Sequence, residues 1–512
     1  MKPRLKSVFV IVFCLLLIFL AACAAPSAPS ESAAPSAEEP GVQEIGLPAH
    51  MKEPNAPKYV FLFIGDGMAF AQVNAAQIFK GSAQDVAIGS LSFTEFPITG
   101  MVTTFDETSV CPDSASTATA LSCGIKTQSG VIGMTGDKAS SPESITEMLK
   151  RDGKRIGIVS TVSLNNATPA AFYAHAASRG DYYDIAVQMP DSGVDYFGGG
   201  SLVDPAGSKS DEPDVFEMLA QNGYTIADTK EEMAALDGGS GKVYAVSPAL
   251  QTKGAMPFAL DAPEDALSLK DFVRTGINVL DNENGFFMVC ESGMIDWACH
   301  ANDAAAAIAE TLVLEDAVAE AVDFAEEHPD ETLILVTGDH ETGGMALGYA
   351  ATGYNTDYAL LSGQTVSYSA FDTIFEDMKE DKPQLLMSDM LPAIKQNFGL
   401  IAPDDAEAAL EENAGRVLTA DEYERLTEAL DASLGGQTDA AQAQLLYGGY
   451  EPLTVTLTHI LNNKAGIGWT SYVHTGGLVP VYAYGAGAEA FSGSYDNTDI
   501  FKKLVDTCGL NG

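Results

Sequence analysis

Three apolar segments that each run into an acidic residue constrain this chain more than anything else in it. Val60-Phe61-Leu62-Phe63-Ile64 leads into Gly65-Asp66-Gly67, Phe286-Phe287-Met288-Val289-Cys290 into Glu291, and Leu333-Ile334-Leu335-Val336 into Thr337-Gly338-Asp339-His340. Runs apolar at every position, rather than at alternate ones, predict strands buried on both faces. Separated by helical stretches, they predict an α/β fold: a large, mostly parallel central sheet between two helical layers. Sheets of this kind place their sites beyond the carboxyl ends of the strands, so acids remote in sequence converge there.

Asp296 and His300 follow Glu291 closely. If Asp296 opens a helix, the i, i+4 spacing puts carboxylate and imidazole on one face, where they can bind one cation. An isolated Asp-x-x-x-His is more often a solvated helix start. Three acid-tipped strands, two of them with a nearby His, point instead to a metal centre.

With 512 residues, 46% of them apolar, the chain supports a large core and an elaboration on it. A formal net charge of -44 argues against a nucleic-acid polymer as partner. A small anionic substrate then needs locally placed cations, which gives weight to bound metals and to any Arg in the site.

At the N-terminus, Lys2, Arg4 and Lys6 precede an apolar run from Val8 to Phe19, and Leu20-Ala21-Ala22-Cys23 follows. The pattern resembles a bacterial lipobox. It predicts a signal peptide over 1–22, cleavage before Cys23, and lipid on the Cys23 sulfur. Residues 24–57, rich in Ala, Pro, Ser and Glu, read as a flexible tether. The mature protein is then expected outside the cytoplasm, lipid-anchored on the outer face of the cytoplasmic membrane or at the cell surface. No other apolar run approaches the roughly 20 residues of a membrane span. Cys111, Cys123, Cys290, Cys299 and Cys508 remain after Cys14 and Cys23 are set aside. They form no CxxC pattern, and Cys111 reads as a packing or disulfide residue.

A second chemical signal is Cys111-Pro112-Asp113-Ser114-Ala115-Ser116-Thr117-Ala118. The small residues after Ser114 read as a helix with the serine in its first turn, where free backbone N–H groups favour an anion. An ordinary Asp or Ser cap explains the same residues. No Gly-x-Ser-x-Gly elbow surrounds Ser114, so a metal must activate it if it attacks. Beyond the strand-like Ile156-Gly157-Ile158-Val159-Ser160 lie Asn166-Ala167-Thr168-Pro169 and Arg179. Thr168 can offer a hydroxyl oxygen to a hard cation, and the planar fork of Arg179 suits a tetrahedral anion. His175 reads as a hydrogen-bonded structural residue.

Taken together these segments resemble the alkaline phosphatase family. The matching motifs are Gly65-Asp66-Gly67, Pro112-Asp113-Ser114-Ala115, Ala167-Thr168-Pro169, Glu291 to His300, Gly338-Asp339-His340 and His474-Thr475-Gly476-Gly477, in family order from about residue 58 onward. Val479 to Gly485 is similar to the family's last core strand. The resemblance implies two zinc ions and one magnesium. Asp296, His300 and His474 would hold the first zinc; Asp66, Asp339 and His340 the second; Asp66, Thr168 and Glu291 the magnesium. Ser114 would be the nucleophile that becomes phosphorylated, Arg179 the phosphate clamp and Asp113 its orienting partner. The implied substrates are small phosphate monoesters.

One position departs from the family's usual pattern, and another stands where the family varies. Asn166 stands where an Asp or His contacts the third metal or its waters, so magnesium is expected to bind more weakly or to exchange. Trp297 occupies a variable position and either borders the phosphate site or packs as an ordinary aromatic.

Residues 350–465 leave the strand-helix alternation and resemble the family's variable insertion in location, a cap or crown between catalytic segments 58–349 and 466–512. Thr419-Ala420-Asp421-Glu422 has capping-box spacing behind apolar Leu418, and Asp404–Glu412 and Ala420–Leu434 read as acidic helices. The insertion is expected to shape substrate access, to form a contact in a homodimer, or to be purely structural. Three rival functions stay open: a diesterase or nucleotide pyrophosphatase of the same superfamily, a sulfatase, and a non-catalytic lipoprotein that captures metal or phosphate. Asp113-Ser114-Ala115 with Arg179 favours monoesters over diesters. The Cys-x-Pro-x-Arg segment of a sulfatase is missing, and a mere binder has no need of a nucleophile.

Overall fold

The computed structural model describes residues 56–510 except 85, 383, 437 and 438. The expected signal peptide, Cys23 and the tether as far as residue 55 lie outside the described residues.

Ten strands form one sheet: β1 (Tyr59–Gly65), β2 (Ile98–Thr103), β3 (Arg155–Ser160), β4 (Tyr196–Gly199), β5 (Tyr224–Ala227), β6 (Lys242–Val246), β7 (Phe286–Ser292), β8 (Thr332–Gly338), β9 (Val479–Gly485) and β10 (Gly493–Asp496). Their order across the sheet is β10-β2-β9-β8-β1-β7-β3-β4-β6-β5, and β9 alone runs antiparallel to its neighbours.

Strand periodicity explains the layers. In β1, Tyr59, Phe61 and Phe63 enter one hydrophobic cluster while Val60, Leu62 and Ile64 enter the other. β7 divides the same way, with Phe286 and Met288 on one face and Phe287 and Val289 on the opposite one. Helices Leu269–Leu280 and Ala304–Glu327 contribute to the first cluster, and Ser114–Cys123, Ile145–Arg151 and Thr498–Thr507 to the second. Both faces of every central strand are therefore dry, which is why these runs carry no polar alternation.

Register decides where the acids meet. Gly65 at the end of β1 pairs with Ser292 of β7 on one side and with Gly338 of β8 on the other. The three chains leave the sheet at one level, so Asp66, Glu291 and Asp339 emerge side by side.

The 350–465 segment is mainly helical, with Tyr368–Asp381, Met387–Phe398, Ala420–Ser433, Ala440–Tyr447 and Pro452–Ala465. Its Phe371, Ile394, Leu426 and Leu457 belong to the same cluster as Phe61 and Phe63. The capping box is present: Thr419 Oγ1 accepts from Glu422 N at 3.2 Å, and Thr419 N donates to Glu422 Oε2 at 2.8 Å. Leu418 before it is buried. Asp404–Glu412, expected as a helix, forms only short 3-10 turns at Ala406–Ala409 and Glu411–Asn413. Its acidic residues put no periodic apolar face on the core, so nothing offsets the cost of a longer helix. Cys111, expected to pack or to pair, is exposed and free, because its segment lies at the rim of the site rather than in the core.

Candidate active site

Asp66, Thr168, Glu291, Asp296, Asp339, His340 and Ser114 are all buried, 7% exposed or less, at the carboxyl ends of β1, β3, β7 and β8. They form two ligand clusters. Asp66, Asp339 and His340 make the deep one; Asp296, His300 and His474 make the one nearer solvent. In each, the candidate ligand atoms lie within 4.8 Å of one another.

Backbone pairing holds the deep cluster. Gly67 adopts φ +72°, and a Cβ there would come within 2.9 Å of Thr342 Oγ1, so glycine is required for the turn that presents Asp66. Its N–H donates to Asp339 Oδ1 at 3.1 Å, and Thr117 Oγ1 donates to Asp339 Oδ2 at 3.0 Å. Asp296 does not open its helix as the spacing suggested. Helix Met294–His300 starts two residues earlier, and the i, i+4 geometry still places His300 Nε2 at 3.4 Å from Asp296 Oδ2. His474 joins them from the ribbon in which His474-Thr475 pairs with Glu341-Thr342.

Hydrogen bonding fixes which imidazole nitrogens carry lone pairs. His300 Nδ1 lies 2.6 Å from Tyr472 O, and His474 Nδ1 lies 2.6 Å from Pro112 O. A carbonyl only accepts, so both Nδ1 atoms carry a proton, and in the neutral ring the lone pair is then on Nε2. Those two Nε2 atoms are 3.1 Å apart. Thr342 Oγ1 sits 2.6 Å from Asp296 Oδ1 and 3.2 Å from His340 Nδ1. The carboxylate takes the hydroxyl proton, so the hydroxyl accepts from His340 Nδ1 and the His340 Nε2 lone pair faces Asp66 Oδ1 and Asp339 Oδ2, each at 3.3 Å. Asp66 Oδ1 is buried and accepts no hydrogen bond.

Lone pairs aimed at lone pairs are tolerable only around cations. Burial, then the charge of Asp339, pushes the Asp66 carboxyl well above its ordinary range. Burial also raises Glu291 and Asp339 to about 7. His340 is held well below the usual histidine range, first by burial and then by His474. Sets that include imidazole suit zinc, whereas Asp66, Thr168 and Glu291 offer only oxygen, as a hard cation prefers. Thr168 Oγ1 approaches Asp66 Oδ2 at 3.4 Å, and Ser160 Oγ donates to Glu291 Oε2.

Ser114 is the first residue of helix Ser114–Cys123, with Asp113 capping it through Ser116 N. Its Oγ lies 3.2 Å from His340 Nε2, at the deep cluster. Arg179 donates from Nη1 to Asp113 Oδ2 at 3.1 Å and from Nη2 to Asn166 Oδ1 at 3.3 Å. Asn166 also accepts from Ala167 N at 2.7 Å, so its oxygen serves Arg179 and a helix start. His175 is structural, with Nδ1 2.5 Å from Gly133 O.

The alkaline phosphatase family model matches residues 57–510. The chain belongs to the alkaline phosphatase family. It is similar to alkaline phosphatase 3 of Bacillus subtilis (strain 168), 31% identical over 468 residues that cover 89% of each chain. Among solved structures it resembles a cold-active alkaline phosphatase from a psychrophilic Shewanella sp., with a TM-score of 0.70, 28% identity, and coverage of 88% of this chain and 99% of that one. A variant of the phosphatase of the Antarctic bacterium TAB5, with magnesium bound in its M3 site, aligns at a TM-score of 0.60 and 27% identity over 90% of this chain and 100% of that one. The protein is thus an enzyme, a phosphatase of a metal-dependent hydrolase family.

Several residues around the ligands escaped the sequence reading. Thr342 links the two clusters, Thr117 and Ser160 each hold a carboxylate, and Glu341 joins the Asp339 loop to the His474 ribbon. Glu341 accepts from Gln72 Nε2 at 2.9 Å, from Met345 N at 3.1 Å and from Thr475 Oγ1. The one available signal was proximity, since Glu341 and Thr342 directly follow Asp339-His340.

Proposed function

We propose that the enzyme hydrolyses small phosphate monoesters through a phosphoserine intermediate on Ser114, outside the cytoplasm. The observation that supports it best is the placement of Ser114 Oγ, 3.2 Å from His340 Nε2 at the N-terminus of a buried helix. Zinc would be held by Asp296, His300 and His474 and by Asp66, Asp339 and His340, and magnesium by Asp66, Thr168 and Glu291. When bound, these cations supply positive charge to the attacking and departing oxygens. Arg179, already oriented by Asp113, grips two nonbridging phosphate oxygens, and the helix N–H groups add partial charge on the same side. Ser114 Oγ loses its proton to solvent and forms its bond to phosphorus in line as the bond to the ester oxygen breaks, and the alcohol leaves with a proton; water then breaks the Oγ–P bond, returning a proton to Ser114 and releasing inorganic phosphate.

Export rests on the lipobox-like Leu20-Ala21-Ala22-Cys23, with residues 350–465 as an insertion in the catalytic domain and as one place for a homodimer contact. The reading is tested with an aryl phosphate monoester and the matching diester, using wild type and Ser114→Ala, with and without chelator. Monoester turnover that falls about 10³-fold in the variant and is lost with chelator is expected. Diester preference, or undiminished turnover by Ser114→Ala, would sink it.

A further inference from the structure

The insertion meets the centre in two places. Tyr368 and Tyr450 share with Trp297, Arg179 and Asp296 the wall of a cavity of about 360 Å³. Helix Pro452–Ala465, the last of the insertion, reaches instead the backbone that carries the ligand cluster nearer solvent. Leu453, Leu457, Ile460 and Leu461 root this helix in the same hydrophobic cluster as Phe61 and Phe63. From it, His459 and Asn462 converge on one residue, Asn302. His459 Nε2 lies 3.0 Å from Asn302 Oδ1, and Asn462 Nδ2 donates to Asn302 O at 2.6 Å.

Asn302 follows His300 by two residues and is buried, at φ +52°. After a helix end that conformation is usually glycine's, with asparagine tolerated. A plain helix stop needs only the backbone N–H, which here donates to Cys299 O at 3.0 Å. The side chain goes further: Nδ2 donates to Cys299 O at 2.9 Å and to Ser471 O at 2.8 Å. Two carbonyls around Nδ2 fix the orientation of the amide, so Oδ1 faces His459 and the Nε2 of that ring is the donor. The amide thus ties the end of the helix bearing Asp296 and His300 to the loop bearing Tyr472 and His474. Ser471 immediately precedes Tyr472, whose carbonyl meets His300 Nδ1 at 2.6 Å. Every polar atom of Asn302 is engaged, and a shift of any of these segments breaks a buried hydrogen bond.

We propose that Asn302 is a positioning residue for the Asp296, His300, His474 set and that helix Pro452–Ala465 of the insertion, through His459 and Asn462, is its brace, a role that rests on these three ligands holding zinc. Without the amide, the loop shifts relative to the helix, and the two halves of the ligand set no longer reach one ion at bonding distance together.

The test uses full-length Ser114→Ala protein, in which zinc binding is read without turnover, by competition with a chromophoric chelator. Two zinc ions are expected in that parent. Asn302→Gly keeps the positive φ and deletes the amide; it should weaken one zinc about tenfold, the low end for loss of an outer-shell partner, and leave the other unchanged. His459→Ala should weaken the same zinc about threefold, and His459→Gln, whose side-chain N–H reaches the same place, should restore it. With His474→Ala added, the ligand set is already broken, and Asn302→Gly should not move the affinity of the remaining zinc. Unchanged affinity of both ions in Asn302→Gly, equal weakening of both, or a further loss in the His474→Ala background overturns the brace alone. A parent that binds no zinc overturns the metal reading, and the brace with it.

Discussion

The two ligand clusters are built on different principles. The deep one, Asp66, Asp339 and His340, hangs from adjacent strand ends whose register is fixed by backbone hydrogen bonds, and His340 is fully buried. The outer one, Asp296, His300 and His474, joins a seven-residue helix to a two-residue ribbon strand, and its histidines are only half-buried. Loop carbonyls of Tyr472 and Pro112 orient its imidazoles. A site hung on a sheet is as stiff as the sheet, whereas a site spread over loops follows the loops.

The largest effects should separate the clusters most clearly. His340→Ala and His474→Ala are each expected to lower kcat/KM by about 10³-fold, because on the proposed function each would remove one ligand from a charge-stabilising ion. Excess zinc should restore part of the His474→Ala activity, where water can enter, and little of the His340→Ala activity. Equal rescue in a zinc titration would erase the distinction.

Thr342 is where the clusters touch, so Thr342→Val is expected to weaken zinc binding or activity by 10- to 100-fold, the usual scale for an outer-shell partner. Thr342→Ser should stay near wild type. A valine variant with unchanged zinc affinity by competition with a chelator would show that the clusters are independent.

Asn166→Asp sharpens the contrast on the oxygen-only side. It adds a carboxylate beside Arg179, two residues before Thr168. Magnesium affinity should rise, by about tenfold at most, in a titration of activity against free magnesium. An unchanged magnesium curve would place Asn166 wholly in the service of Arg179.

Glu310 is the control for buried charge without a cation site. It accepts from Ala259 N at 2.7 Å, and burial pushes its carboxyl up to about 8. The folded state therefore keeps this proton where the unfolded chain has lost it. The stability it supports is complete at acid pH and declines as pH rises from the ordinary glutamate range through about 8. Glu310→Gln should raise Tm by about 2 °C above that range and leave it unchanged near pH 4. Metal loading should not alter this slope, and a slope that vanishes with zinc would tie Glu310 to the centre.

Much of this architecture was legible residue by residue. Strands buried on both faces announce themselves as unbroken apolar runs, so the positions of Asp66, Glu291 and Asp339 at strand ends followed from β1, β7 and β8 alone. The helix from Ser114 was readable from its small residues and its Asp cap. Less was readable where a residue acts through a partner. Thr342, Thr117 and Ser160 are ordinary hydroxyl residues whose importance lies in which carboxylate they meet, and hydroxyls carry no pattern in sequence. Asp404–Glu412 failed for the opposite reason, since acidic composition resembles a helix surface even where no apolar face exists to hold a helix.

The sequence by itself determined the chemical inventory: an acid at each of three strand ends, a serine at a helix start, three imidazoles and an arginine. Periodicity suffices for the strand-end acids and the helix-start serine, because burial on a strand or helix is a local demand on residue type, whereas His474 and Arg179 entered through the resemblance to the family. Only the tertiary structure decided which atoms face one another. Strand order put β1 between β7 and β8, the Tyr472 and Pro112 carbonyls set the histidine lone pairs, and the insertion brought Tyr368 and Tyr450 beside Trp297. Those outcomes depend on contacts between residues far apart in the chain, which cooperative packing fixes and no local pattern encodes.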